Sequence, residues 1–160
     1  MLVDLKRNHL KDIFEYSNDP EFSRYIGMGM PNRLKDVKPF LTLILTENKS
    51  GRRKYFGIEI EGKVIGTAGL LNINTSSNSA ELGYGLSRKY WGTGIMKAHV
   101  DQIIKIGFED MGLEFLTVGT GILNVRSNNF IKKSGFSYTN SLNDKSWYKL
   151  QKVTYENCCT

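Results

Sequence analysis

The apolar positions change their period partway along the chain. Before residue 50 they recur at helical spacing, with Leu5, Leu10, Ile13 and Phe14 over residues 5–17 and Val37, Leu41, Ile44 and Leu45 over residues 34–47. Asn18-Asp19-Pro20 stops the first helix, because proline cannot continue the hydrogen-bond ladder and restricts the residue before it. Residues 21–30 read as a short helix or irregular arm, and Asn48-Lys-Ser-Gly51 closes the second helix. From Lys54 the period falls to two. Lys54–Ile60 alternates, Glu61-Gly62 is a two-residue hairpin turn, residues 63–73 form the next strand, and Ser79–Leu86 completes a meander after a polar turn. The period then lengthens again over residues 95–111, where Met96, Val100, Ile103, Ile104, Gly107 and Met111 make one stripe. Phe115–Gly121 is a strand, Val125–Lys133 a short helix, and residues 136–142 and 146–153 a closing hairpin across Asn143-Asp144.

This order, ααβββαβαββ, predicts an α+β fold: a mixed, mostly antiparallel central sheet flanked by helices. No linker, repeat or low-complexity segment interrupts it, so residues 1–160 are expected to form a single domain. Residues 1–6 leave room for a first strand that is short or missing, as if it were vestigial or the chain truncated. Without that strand Lys54–Ile60 would be an open sheet edge, which predicts a homodimer or another cover for the edge.

The most informative stretch joins strand Ser79–Leu86 to the helix that begins at Ile95. A helix that starts on Trp91-Gly-Thr-Gly94 leaves its first N–H groups without intrahelical partners, at the positive end of its dipole. Glycine lets main chain approach an anion closely. Gly92, Thr93, Gly94, Ile95 and Met96 all retain an N–H, so the segment reads as a main-chain seat for phosphate. Arg88 and Lys89 stand ready to add charge pairing, and Met96 either crowds the anion or faces the core.

The charge of 22 Lys+Arg against 16 Asp+Glu gives +6, which fits an anionic ligand or a solvated basic surface. The basic residues are scattered, with no basic and aromatic stripe of the kind that marks a nucleic-acid binder. No apolar run reaches membrane-spanning length and residues 1–10 lack a signal-peptide core, so a cytoplasmic location is expected. Cys158 and Cys159 are neighbours on a tail expected to fray, His9 and His99 are isolated, and no metal-ligating cluster is visible.

A second segment, Asn124-Val-Arg-Ser127 running on to Lys133-Ser-Gly135-Phe136, follows a strand and closes with glycine. Together the two segments resemble the GCN5-related N-acetyltransferase superfamily in its RimJ/RimL-like branch, which shows a Tyr-Trp-Gly-x-Gly turn and an Asn-x-x-Ser…Lys-x-Gly-Phe segment. The resemblance covers most of the chain. It implies a fold in which the strands before and after the long helix splay apart, with the thioester arm of acetyl-CoA in the gap against Tyr84–Leu86. It implies acetyl transfer to a primary amine of a protein N-terminus, such as a ribosomal protein, or of an amino sugar or other small molecule. Acetyl-CoA is then a co-substrate and no metal is needed. Trp91 is normal for this branch. Asn124 matches the asparagine that holds the pantetheine arm, although a cap or loop role is open to it, and Ser127 matches the serine facing the leaving thiolate, although it is also a first-turn residue. The tyrosine that many superfamily members place four residues before Gly-Phe is absent, since Ile131 stands in its position. That departure, with Met96, motivates the alternative of a non-catalytic acyl-CoA-binding regulatory domain.

Acetyl transfer to an amine needs a base near the splay. Glu81 is the best placed, three residues before Tyr84, with Glu59 and Glu61 behind it; a salt-bridged or solvent-facing role is equally open to Glu81. Tyr84, Tyr90 and Tyr138 are reserve proton donors. The acceptor is expected on the side away from the cofactor, along a wall of Tyr16, Tyr25, Met28, Met30, Asn74 and Trp147.

Overall fold

A computed structural model describes residues 1–25 and 29–159, with side chains through Asn157. Seven strands form one sheet: β1 Leu2–Asp4, β2 Lys54–Ile60, β3 Lys63–Asn74, β4 Ser79–Leu86, β5 Phe115–Gly121, β6 Ser137–Leu142 and β7 Lys145–Gln151, in the order β1-β2-β3-β4-β5-β7-β6. Every neighbouring pair is antiparallel except β4 and β5. The mixed, mostly antiparallel sheet read from the hydrophobic period is therefore the observed one.

Local dihedral chemistry sets two of the hairpins. Glu61 and Gly62 both have positive φ (50° and 76°), as do Asn143 and Asp144 (51° and 57°), the requirement of the tight turn whose twist matches its strands. Helices cover both faces. On one side lie α1 Leu10–Ser17, reached through a 3-10 turn at Arg7–His9, then α2 Pro20–Ser23 and α3 Leu34–Lys49. They enclose a core of Leu5, Ile13, Tyr16, Val37, Leu41, Ile44, Tyr55 and Val64. On the other lie α4 Ile95–Lys105, α5 Val125–Lys133 and α6 Lys152–Cys159, over the larger core centred on Leu70, Leu82, Val100, Ile103, Phe108 and Leu116.

Of the two covers expected for the edge of β2, the structure supplies one from within the chain. The first strand is short but present, and it covers β2 through Leu2↔Ile58, Val3↔Gly57 and Asp4↔Phe56. Met1 and Glu59 complete the ladder: the Met1 amine donates to the Glu59 carbonyl at 2.7 Å and the Glu59 N–H to the Met1 carbonyl at 2.8 Å. Strand β2 is thus covered over Phe56–Glu59 by the chain's own first residues. The helix expected over residues 95–111 stays α-helical to Lys105 and then widens into a π-turn over Ile106–Asp110. There Gly107 packs so close to β3 and β5 that an added Cβ would lie 3.2 Å from the Leu70 side chain. The tail expected to fray forms α6, anchored by Tyr155, whose ring stacks on Phe108 and whose hydroxyl donates to Glu109 at 2.7 Å. Among the described residues no helix is long and apolar enough to cross a membrane.

Candidate active site

The parallel pairing of β4 with β5 lasts for three rungs, Ser79↔Phe115, Ala80↔Leu116 and Glu81↔Thr117. Beyond them β4 stays on β3 as far as Leu86↔Gly66, while β5 stays on β7 as far as Gly121↔Lys145. Both strands run on with nothing of the sheet between them. The facing edges of residues 82–86 and 118–121 therefore present main-chain donors and acceptors to a wedge-shaped opening, which an extended chain can fill as a strand would.

At the wide end of the wedge β4 turns into α4. Gly92 and Gly94 hold φ of 76° and 83°, values at which any side chain but glycine is strained. The first helical bond is Ala98 N–H to the Gly94 carbonyl at 3.1 Å, and among the described residues the amides of Gly92 to Lys97 have no acceptor. The unpaired amides expected from the glycines are present, at the start of a helix of 11 residues. The turn is braced from behind: the Trp91 indole N–H donates to the Leu86 carbonyl at 2.7 Å and the Thr93 hydroxyl to the Tyr90 carbonyl at 2.6 Å. Ile95 and Met96 are half-buried against the larger core, so Met96 faces inward rather than crowding the seat.

The expected cations are placed differently. The Arg88 guanidinium pairs with the Asp19 carboxylate at 3.0 Å, and the Lys89 ammonium lies over the Tyr90 ring at 5.4 Å. Arg126, which the sequence did not single out, stacks on Trp91 with its guanidinium carbon 4.7 Å from the ring centre. Its only sequence signal is its position at the second residue of the helix after Asn124, and it is the cation carried onto the turn from α5.

Inside the wedge, the Tyr84 and Ser127 hydroxyls lie 2.6 Å apart, joining β4 to the first turn of α5. The Tyr84 ring packs edge-on against Phe130 at 5.2 Å. Burial pushes the Tyr84 phenol up to about 12, only partly offset by the bond to Ser127. It therefore stays protonated through the neutral range. Two hydroxyls that share one hydrogen bond keep one proton for a third partner. Asn124 acts as a cap, its side-chain oxygen accepting from the Ser127 N–H at 3.1 Å, which leaves its amide N–H₂ as the part able to reach a ligand. The position of the absent tyrosine is occupied by Ile131 as a core residue, 1% exposed.

A polar latch also missed by the sequence reading holds this corner. Asn128 is buried and donates to the carbonyls of Gly121 at 3.0 Å and Asn124 at 2.8 Å, and it accepts from the Tyr148 hydroxyl at 2.6 Å. It fixes the end of β5, the loop and α5 in one geometry.

Glu81 sits on the last paired rung, at the apex of the wedge, on the opposite face of the sheet from Tyr84. It is half-buried, and its carboxylate accepts from the Asn72 side-chain amide at 2.9 Å. Asn72 reaches it because β3 bulges there, with a positive φ of 52°. Glu59 and Glu61 lie on β2 and its turn, with β3 between them and β4, and do not join the site. Next to Glu81 on the same face, Tyr55 lies across Gly69 and Gly83. A Cβ on Gly83 would stand 3.0 Å from the Tyr55 hydroxyl, so only glycine admits the ring. Burial raises the Tyr55 phenol to about 12 and the Tyr16 phenol further, and both hydroxyls bond to Thr67. In the expected acceptor wall, Asn74 instead accepts from the N–H groups of Ser76 and Ser77 in its own turn. Tyr25 and Met30 are exposed, Trp147 lies over Gly119, and Met28 lies outside the described residues. Among the described residues no group of three or more His, Cys, Asp or Glu is placed to hold a metal ion.

A mixed sheet parted at its one parallel pair, beside a main-chain anion seat, is the architecture of a GNAT fold. The chain belongs to the GNAT acetyltransferase family: residues 1–137 match the family described as Acetyltransferase (GNAT) domain. It is 28% identical over 116 residues to the N-acetyltransferase p20 of Bacillus licheniformis, covering 69% of this chain and 65% of that protein. It is 24% identical over 153 residues to FsC-acetyl coenzyme A-N(2)-transacetylase of Aspergillus fumigatus, covering 90% and 65%. The chain thus spans just under two thirds of the length of these curated relatives. Among solved structures, spermidine N-acetyltransferase from Vibrio cholerae, in complex with CoA and spermine, superposes with a TM-score of 0.82 over 98% of both chains at 17% identity, a likeness of fold.

Proposed function

We propose that this chain is a single-domain, acetyl-CoA-dependent N-acetyltransferase that acetylates a primary amine by direct attack in a ternary complex. The observation that carries the reading is the opening of β4 from β5 after Glu81↔Thr117, with the free amides of residues 92–96 at its wide end. In this reading the amides, with Arg126 beside them, grip the diphosphate. The edge of Tyr84–Leu86 and the Asn124 amide align the pantetheine arm, which brings the thioester toward the apex of the wedge. Trp91, whose indole closes the turn onto Leu86, supports the RimJ/RimL-like assignment.

Proximity of two bound reactants supplies much of the rate, worth on the order of 7–11 kcal/mol at its upper range. Glu81 takes the proton released by the amine as the N–C bond forms, directly or through one water. As the C–S bond breaks, the spare hydroxyl proton of the Tyr84–Ser127 pair is donated to the thiolate as a hydrogen bond. Ile131 is then no loss, because a different pair of hydroxyls serves the leaving group. The test is release of free thiol from acetyl-CoA across a panel of amines, with binding followed by calorimetry. Amine-dependent release supports the enzyme. Tight binding with no turnover on any amine would support the non-catalytic alternative.

A further inference from the structure

The helices α1 and α3 roof only part of their side of the sheet. Their core draws on Val3, Tyr55, Val64 and Leu71 from strands β1 to β3, and on no residue of β5, β6 or β7 among the described residues. The remaining half-face is an open groove of about 300 Å³ lined by Phe115, Thr117, Thr139, Asn140, Trp147 and Lys149 among others. It begins at the apex of the wedge. Glu81 pairs with Thr117 and Thr117 with Lys149, so the three lie on one rung and point to one face. Two strand spacings separate Glu81 from Lys149, roughly 10 Å between their backbones.

The groove is positive. The Lys149 ammonium lies 3.8 Å from the centre of the Phe115 ring and the Lys145 ammonium 5.8 Å from that of Trp147. The ion pairs among the described residues use neither lysine. Among the described residues no carboxylate lines the groove. Both ammonium groups are held on aromatic faces rather than neutralised, and such a surface attracts anions and repels cations. The one carboxylate on the same rung is Glu81, at the end where the acetyl group is delivered.

We propose that the acceptor is a primary amine that also carries an anionic group, a carboxylate or a phosphate, with the amine at Glu81 and the anion at Lys149, while Lys145, further along the same face of β7, adds to the positive potential. This rests on the N-acetyltransferase reading above. A polycation would set its far end against two lysines and is the wrong acceptor for this groove.

The test compares acceptors of one length under saturating acetyl-CoA: 6-aminohexanoate, 5-aminopentyl phosphate, hexylamine and 1,5-diaminopentane. The anionic amines are expected to show kcat/KM at least tenfold above hexylamine, through KM, with the diamine lowest; whichever anion leads identifies the source. In Lys145→Met/Lys149→Met the anionic-to-neutral ratio is expected to fall toward one, while Lys11→Met, on an exposed position of α1, keeps it. The ratio does not depend on how much of a variant is folded. Equal use of anionic and neutral amines by the wild type, a preference for the diamine, or a ratio that survives loss of both lysines overturns the proposal while leaving the enzyme reading intact. If acetyl-CoA binds but no amine of any charge is turned over, the enzyme reading falls and the proposal with it.

Discussion

The Tyr84 and Ser127 hydroxyls meet at 2.6 Å across the opening between β4 and α5. In the proposed mechanism each hydroxyl sets the orientation of the other toward the thiolate, so the two would act as a unit. Tyr84→Phe and Ser127→Ala are each expected to lower kcat about 10–100-fold with little change in acetyl-CoA affinity. The double variant should be no worse than the poorer single one. Steady-state kinetics on the four proteins checks this; losses that multiply would show two independent roles.

Glu81 lies at the apex of the wedge, where the proposed mechanism makes it the proton acceptor. Glu81→Gln should lower kcat more than it weakens acetyl-CoA binding, and should change the pH–rate profile. Superimposable profiles for the two proteins would take Glu81 out of the mechanism and leave it as the partner of Asn72.

The phenols that burial raises are those of Tyr16, Tyr55 and Tyr84, and they make stability fall at alkaline pH. Burial holds Tyr55 and Tyr84 at about 12 and Tyr16 higher, whereas each would ionise near 10 once unfolded. A raised tyrosine pKa means that the unfolded chain loses its proton first. The stability is fully present below pH 10 and is lost as pH rises through the folded values, at up to about 1.4 kcal/mol per pH unit for each phenol. Urea unfolding between pH 9 and 11 should show this fall begin near pH 10. The loss should become shallower in Tyr84→Phe.

Asn128 is the buried latch of the β5–α5 corner. Asn128→Ala leaves the Tyr148 hydroxyl without its acceptor and takes one of two donors from the Gly121 and Asn124 carbonyls, which keep the N–H groups of Asn124 and Asn128, and should cost about 1–3 kcal/mol in urea unfolding. Tyr148→Phe removes one partner and should cost less.

The features legible in the sequence are those set by neighbouring residues. Glu61-Gly62 and Asn143-Asp144 announced their hairpins because positive φ is demanded locally. Gly92 and Gly94 announced the turn with unpaired amides before α4 for the same reason. The features that were not legible depend on residues far apart in the chain. Leu2 pairs with Ile58, and no local pattern in a three-residue strand reveals that. Arg88 reads as a phosphate ligand until Asp19 is brought beside it. Tyr84 and Ser127 are 43 positions apart, so each looked like a lone candidate. Arg126 and Asn128 carried no signal beyond their place in a short polar helix, and the tail helix depends on Tyr155 finding Phe108.

The central claim is that unpaired amides at the start of α4 hold the diphosphate of acetyl-CoA, so that its thioester lies between β4 and β5. The most direct measurement is a titration of the ¹⁵N-labelled protein with acetyl-CoA, following the amide resonances by NMR. The account predicts saturable shifts, at one equivalent, concentrated on Gly92 to Met96 and on Tyr84 to Leu86, and their loss in Gly94→Val, where a branched side chain meets a φ of 83°. Shifts centred elsewhere on the molecule, or the same affinity in Gly94→Val, would contradict it.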